Sequence, residues 1–300
     1  MFPVAIFIGG PTASYKTEIA FNLQCHFPSF IVNSDSMQVY DQLEILTNRP
    51  VKKLRKKYDC NLFSYTKYPD KCNVGSWQEK ALSIIKNKKT KIPIFVGGSG
   101  LYMDSIINNI SKIPKVSSDV KRTIDNMLKK FGINYLYEEL KKTDEEYSKK
   151  LAPNDTQRII RALEVNLSTQ TTLSRWHKMK KNQIFKKIIY VVVKSEREIL
   201  YSRINQRCKK MISLGVLEEV KSFLEIKQKL EHPIHKSIGL RQIIRYLKGL
   251  NSLEETMTDF MQETRRYAKR QLTWFNNKAD EAVHLEDSKI KDYVLRELKL

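Results

Sequence analysis

"VAIFIGGPTASYKTEIAF", residues 4–21, decides how the chain is read. An apolar run over Pro3–Ile8 ends in Gly9-Gly10-Pro11. Residues with helical spacing follow, and Ile19, Ala20, Leu23 and Phe27 share one face as far as Phe27. A strand that feeds a glycine turn and then a helix gathers backbone N–H groups around an anion at the helix N-terminus. The loop Gly10, Pro11, Thr12, Ala13, Ser14, Tyr15, Lys16 and Thr17 fits the phosphate-binding pattern G-x-x-x-x-G-K-[ST] at every place but one. Tyr15 stands where the second glycine belongs. Lys16 supplies a point charge for phosphate, and the Thr17 hydroxyl is the expected ligand of Mg²⁺. If residue 15 needs a positive φ, its Cβ carries strain that glycine avoids.

Further strands are expected outward from this stretch, at 30–36, 92–96 and 186–194. Their alternation with glycine turns and helices predicts an α/β fold, a P-loop-type parallel sheet core flanked by helices. Between Val120 and about His177 no strand is expected. Helices are predicted over 119–132, 134–151 and 153–169, the last capped by Asn154 or Asp155 and apolar along Ile159, Ile160, Leu163 and Val165. This divides the chain into a catalytic core of 1–113 and 183–300, and an all-helical insertion of 114–182. The C-terminal part reads as helical over 195–215, 216–225, 237–249 and 256–275.

The 300 residues carry a net charge of +21, with 54 Lys and Arg against 33 Asp and Glu. Such an excess suits a polyanionic partner, nucleic acid first, although a lysine-rich composition gives the same sum. Four scattered cysteines make no C-x-x-C, which argues against zinc and disulfides. No apolar stretch approaches membrane-spanning length, so a cytoplasmic protein without membrane contact is expected.

Other segments hold candidate chemistry. "NSDSMQVY" (33–40) ends a strand, where ligands bind in open parallel sheets. Asp35 there is either a general base or an Asx-turn residue. "VGGSGLY" (96–102) places the Ser99 hydroxyl in a second glycine turn. Arg158 and Arg161 share a helix face and either grip phosphate or are solvated. Arg265, Arg266, Lys269 and Arg270 form a basic strip before Trp274 and Phe275, which either stack on bases or belong to the core.

Taken in order, "GPTASYKT", "NSDSMQVY", "VGGSGLYM", "NDTQRIIRALEV", "LSRW", "SIGLRQ" and "YAKRQLTWF" resemble the tRNA dimethylallyltransferases, also called tRNA isopentenyltransferases. The resemblance runs from about residue 6 to 276. It is to the bacterial form, because no zinc-finger segment follows. It implies transfer of a dimethylallyl group from dimethylallyl diphosphate to N6 of the adenosine just 3′ of the anticodon, with Mg²⁺ as cofactor and pyrophosphate as product. By similarity, Asp35, Ser99, Lys16 and Arg207 are catalytic, and the 10–17 loop cradles the diphosphate. The same similarity assigns tRNA contacts to Asp35, Ser36, Met37, Gln38, Ser99, Lys121, Gln157, Arg158, Ile159, Ile160, Arg161, Arg241 and Gln242. The insertion would touch tRNA, and the chain would act as a monomer. Ser99 replaces a usual threonine and Leu240 a usual tyrosine. Two other readings of the loop remain: a small-molecule kinase using ATP, and a non-catalytic basic RNA-binding protein.

Overall fold

Strand β1 (Phe2–Gly9) is buried from Ala5 onward, and the glycine loop leads from it into helix α1 (Lys16–Leu23). The computed structural model describes residues 2–111, 113–179, 182–226 and 232–300; Met1 and Lys112, both inside the expected core segment, lie outside these. Strand β2 (Ser29–Asn33) follows, then helix α2 (Lys52–Lys57), the two-residue strand β3 (Cys60–Asn61) and helix α3 (Val74–Asn87). Strand β4 (Ile92–Val96) and helix α4 (Gly100–Ile107) complete the first half of one compact unit.

Residues 108–182 form a second unit. It holds α5 (Ser118–Thr143), α6 (Glu145–Ser148), α7 (Thr156–Thr169) and α8 (Leu173–Lys178) around its own core, which includes Ile124, Leu136, Leu140, Ile159 and Leu163. The chain then returns to the first unit with β5 (Phe185–Lys194), α9 (Arg197–Ser213), α10 (Val216–Glu225), α11 (Leu240–Leu247), α12 (Leu253–Lys278), β6 (Val283–Glu286) and α13 (Asp287–Leu298).

The six strands form one sheet in the order β3-β2-β4-β1-β5-β6, and every pairing is parallel. β1 lies at its centre, with Ile6 opposite both Ile94 and Ile189. Alternate side chains enter opposite layers. Phe7, Phe30, Val32 and Phe95 build the core on one face, where the Phe7 and Phe95 rings stack at 4.6 Å. Ile6, Ile8, Ile31 and Ile94 build the core on the other. Strands covered on both faces must be apolar throughout, which is why they read as continuous hydrophobic runs.

Several local expectations change. The first helix stops at Leu23 rather than Phe27. The helix expected over 134–151 breaks at Asp144, whose Oδ1 accepts from Tyr147 N and whose Oδ2 accepts from Ser174 N. Gly132, at φ 77°, kinks the backbone between the two parts of α5. Asp155, not Asn154, caps α7. The lysine cluster 52–57 is a short helix, with Arg55 paired to Glu44.

Candidate active site

The carboxyl ends of β1, β2 and β4 bring the three candidate turns together. At β2, Asn33 accepts from Asp35 N through Oδ1 at 2.9 Å and donates through Nδ2 to Asp35 O and Leu62 O. Asn33 makes an Asx turn, and Trp77 Nε1 donates to the Asn33 carbonyl at 2.8 Å from the buried face of α3. The Asp35 carboxylate makes a second Asx turn, accepting from Met37 N at 2.9 Å. Ser99, in the turn after β4, accepts from Ser36 N at 2.9 Å and donates to Ser36 Oγ at 3.2 Å. The Ser99 hydroxyl, expected to be catalytic, thus also joins its own turn to the one after β2.

The loop after β1 is held from two sides. Arg207, on α9, donates to Thr12 Oγ1 at 2.7 Å. Gln271, on α12, accepts from Thr12 N at 2.8 Å and donates to Gly98 O at 3.1 Å. This one buried side chain ties both glycine turns together, and a Cβ on Gly98 would lie 1.9 Å from its Nε2. Lys16 Nζ folds back on Pro11 O and on Ser14 Oγ, the latter at 3.3 Å. Ser14 Oγ itself donates to Pro11 O at 2.7 Å. Tyr15 is left-handed, with φ 53° and ψ 23°, so the position does demand the conformation that glycine adopts freely. For a tyrosine this conformation costs roughly 1–2 kcal/mol. Its ring is about half exposed and lies beneath the Arg203 guanidinium, 4.3 Å from the ring centroid.

Thr12, Asp35, Ser36 and Arg207 are among the polar residues that line a cavity of about 230 Å³, with Thr47, Asn48 and Thr264. Met37, Leu46, Met211, Ile238 and Phe260 supply much of its apolar lining, and Tyr267 and Cys208 also face it. Burial raises the Asp35 carboxyl above its ordinary value, against the Met37 N–H and the Lys16 and Arg207 charges, which lower it. Burial lowers the Lys16 ammonium to about 8; Asp35 opposes that shift and Arg207 adds to it. Burial, and after it the Asp35 charge, raises the Tyr267 phenol.

A family model described as "IPP transferase" matches residues 38–278. The chain belongs to the IPP transferase family. It is 36% identical over 292 residues to a tRNA dimethylallyltransferase of Pelagibacter ubique, covering 96% of this chain and 93% of that protein. A tRNA dimethylallyltransferase of Bartonella henselae is 38% identical over 279 residues, covering 91% and 95%. Among solved structures, the full-length tRNA isopentenylpyrophosphate transferase of Bacillus halodurans superposes with a TM-score of 0.70 at 26% identity, over 100% of this chain and 97% of that one. A eukaryotic dimethylallyltransferase acting on tRNA superposes with a TM-score of 0.85 at 25% identity, over 95% and 74%.

The transferase's remaining candidate residues fall in several places. Met37 and Ser36 line the cavity, whereas Gln38 donates to Thr47 O and Asn48 O and so shapes its rim. Lys236, Ser237 and Ile238 also line it, and Arg241 and Gln242 begin α11 just beyond them. In the helical unit, Lys121, Gln157, Arg158 and Arg161 are exposed. Arg158 pairs with Asp155 at 3.5 Å and Arg161 with Glu164 at 3.6 Å. Ile159 is completely buried in that unit's core, and Ile160 packs against it. The Ile159 side chain is therefore a core residue rather than a tRNA contact.

Phe275 is core as well. A Cβ on Gly9 would meet its ring at 2.5 Å, and one on Gly100 would meet Trp274 at 1.9 Å. The aromatic pair after the basic strip presses on the glycine turns instead of offering a stacking platform there. Gln271 and Tyr267 were missed from the sequence. Their signal is the spacing of Phe260, Thr264, Tyr267 and Gln271 along one face of α12.

Proposed function

We propose that the chain transfers the dimethylallyl group of dimethylallyl diphosphate to N6 of the adenosine immediately 3′ of the anticodon in tRNA, releasing pyrophosphate. The observation that carries this reading is one cavity that brings together Thr12 of the phosphate loop, the Arg207 cation bonded to it, the Asp35 carboxylate and an apolar group that includes Met37, Leu46, Met211 and Phe260. An allylic diphosphate uses both the charged and the apolar lining. The names of the curated relatives supply the acceptor class.

The donor's diphosphate lies against the 10–17 loop, with Lys16 turning from Pro11 O toward it. Arg207 and Lys16 balance the charge that grows on the leaving group. The N6 lone pair attacks C1 of the allyl group, the C1–O bond breaks, and its electron pair departs with pyrophosphate. The N6 proton passes to the Asp35 carboxylate, whose raised proton affinity suits a general base. Tyr267 and Met37 wall the approach, and the target base must leave its stack to enter.

Among the described residues no group of three His, Cys, Asp or Glu is placed to hold a metal. Mg²⁺ takes one or two protein ligands and draws the rest from phosphate and water. Thr17, at the start of α1, would be its hydroxyl ligand, and the ion would supply further neutralisation of the leaving diphosphate. The protein acts as a cytoplasmic monomer in this reading. Among the described residues no helix is long and apolar enough to cross a membrane.

The test combines protein, Mg²⁺, labelled dimethylallyl diphosphate and an anticodon stem-loop with adenosines 3′ of the anticodon. Label on N6 is the expected product. In the same assay Asp35→Ala abolishes transfer and leaves stem-loop affinity within a few fold. Unchanged turnover would remove Asp35 as base. ATP hydrolysis without RNA, in place of prenylation, would favour a kinase.

A further inference from the structure

Residue 15 takes the left-handed conformation although it is a tyrosine, with φ 53° and ψ 23°. Glycine visits that region freely, whereas for a tyrosine it carries a cost, which a contact of the side chain can offset. Helix α9 carries Arg203 and Arg207 four residues apart, on one face. Arg207 grips one shoulder of the loop through Thr12 Oγ1. The Arg203 guanidinium covers the other shoulder, 4.3 Å from the centre of the Tyr15 ring. Asp287, the first residue of α13, accepts from Arg203 Nη2 at 3.2 Å and fixes the guanidinium in that place.

We propose that Arg203, oriented by Asp287, is a positioning residue that holds Tyr15 by its ring and thereby keeps the phosphate loop in its binding conformation. It acts through Tyr15 and not on the anion. The clamp does for this chain what a glycine at position 15 does without help. The proposal rests on the reading of the loop as a diphosphate cradle. Without the clamp, part of the loop population would relax at residue 15, and apparent affinity would fall by the fraction lost.

The test is a double-mutant cycle read by calorimetric titration with inorganic pyrophosphate and Mg²⁺. Arg203→Ala weakens binding about five- to tenfold, the range a cation–π contact of this kind supports. Tyr15→Gly supplies the background in which the loop needs no clamp, and its own affinity is the reference for the second arm of the cycle. Arg203→Ala added to Tyr15→Gly costs nothing further, because glycine needs no clamp. Asp287→Asn shows a smaller loss of the same sign. Equal losses from Arg203→Ala in both backgrounds would mean that Arg203 meets the anion directly, and would overturn the proposal. No loss in either background would overturn it too.

Melting temperatures of the four chains in the cycle give a readout that needs no ligand. Arg203→Ala removes the Asp287 pair in both backgrounds, so the clamp predicts that it lowers the melting temperature of the parent chain by more than that of the Tyr15→Gly variant. A drop of equal size in both overturns it. If the parent chain fails to bind pyrophosphate, the cradle reading fails, and the melting cycle still decides the clamp.

Discussion

Asp35 and Lys16 are displaced toward each other on the pH scale by the same burial, which disfavours charge on both. Each needs its charge to work: the carboxylate to accept a proton, the ammonium to face a diphosphate. As pH falls through the raised Asp35 value the base is lost. As pH rises through about 8, Lys16 in the free enzyme loses its proton. A bell-shaped profile of kcat/KM follows, with its basic limb near 8 and its acidic limb above the ordinary carboxylate range. Bound diphosphate favours the protonated lysine, so the basic limb of kcat lies at higher pH than that of kcat/KM. Steady-state rates against pH check both limbs, and coincident basic limbs would assign that limb to another group. At this scale Lys16 and Asp35 were legible because their types suit phosphate and proton chemistry at strand ends, whereas Arg207, inside α9, came only from the family resemblance. Gln271 was not legible, because its meaning lies in a contact with Thr12, 259 residues away in sequence. The residue type of Tyr15 raised the question of its backbone but could not reveal the conformation.

Helix α12 is the element that organises the cavity. Phe260, Thr264, Tyr267 and Gln271 descend one of its faces over about 16 Å at the α-helical rise. The polar end of this stripe joins the glycine turns and the apolar end closes the pocket. Phe260 is the floor: it is buried, and its ring packs where a Cβ on Gly239 would lie, 2.4 Å away. Gly239 has φ 90°, so glycine there serves both the turn and the ring. Phe260→Ala should deepen the pocket and admit a ten-carbon allylic diphosphate that the parent chain rejects. Competition between five- and ten-carbon donors, with products separated by chromatography, checks this. An unchanged preference would move the floor elsewhere.

Strands β1, β4 and β5 were legible as apolar runs. Strand β6 was not, since Val283–Glu286 is an edge strand with no such run. Helix α3 went unread although Asn73 makes a capping box with Ser76 and Trp77, Ala81 and Ile85 recur at helical spacing. That signal was present and overlooked. The break at Asp144 was hidden because the acidic run beyond it suits a helix start as well as a continuing helix.

On the scale of the whole molecule, charge and chain order matter most. The +21 net charge suits an RNA backbone; on α12 the single acid Glu263 serves both Arg266 and Arg270, while on α7 Arg158 and Arg161 each have an acidic neighbour. Stem-loop affinity should fall steeply with salt, with a slope of about 0.7–0.9 per phosphate contact on a log–log plot. Titrations across a salt series measure it, and a flat response would make the charge compositional. The helical segment between β4 and β5 was legible from its lack of strand patterns.

The Gln271 bridge has a consequence for how the protein comes into being. The phosphate loop leaves the ribosome well ahead of the amide that fastens Thr12 to Gly98, which arrives only with α12, after the entire helical unit. Between those two moments the nascent chain carries an unfinished cradle. A product truncated anywhere before Gln271 lacks the clasp that closes it.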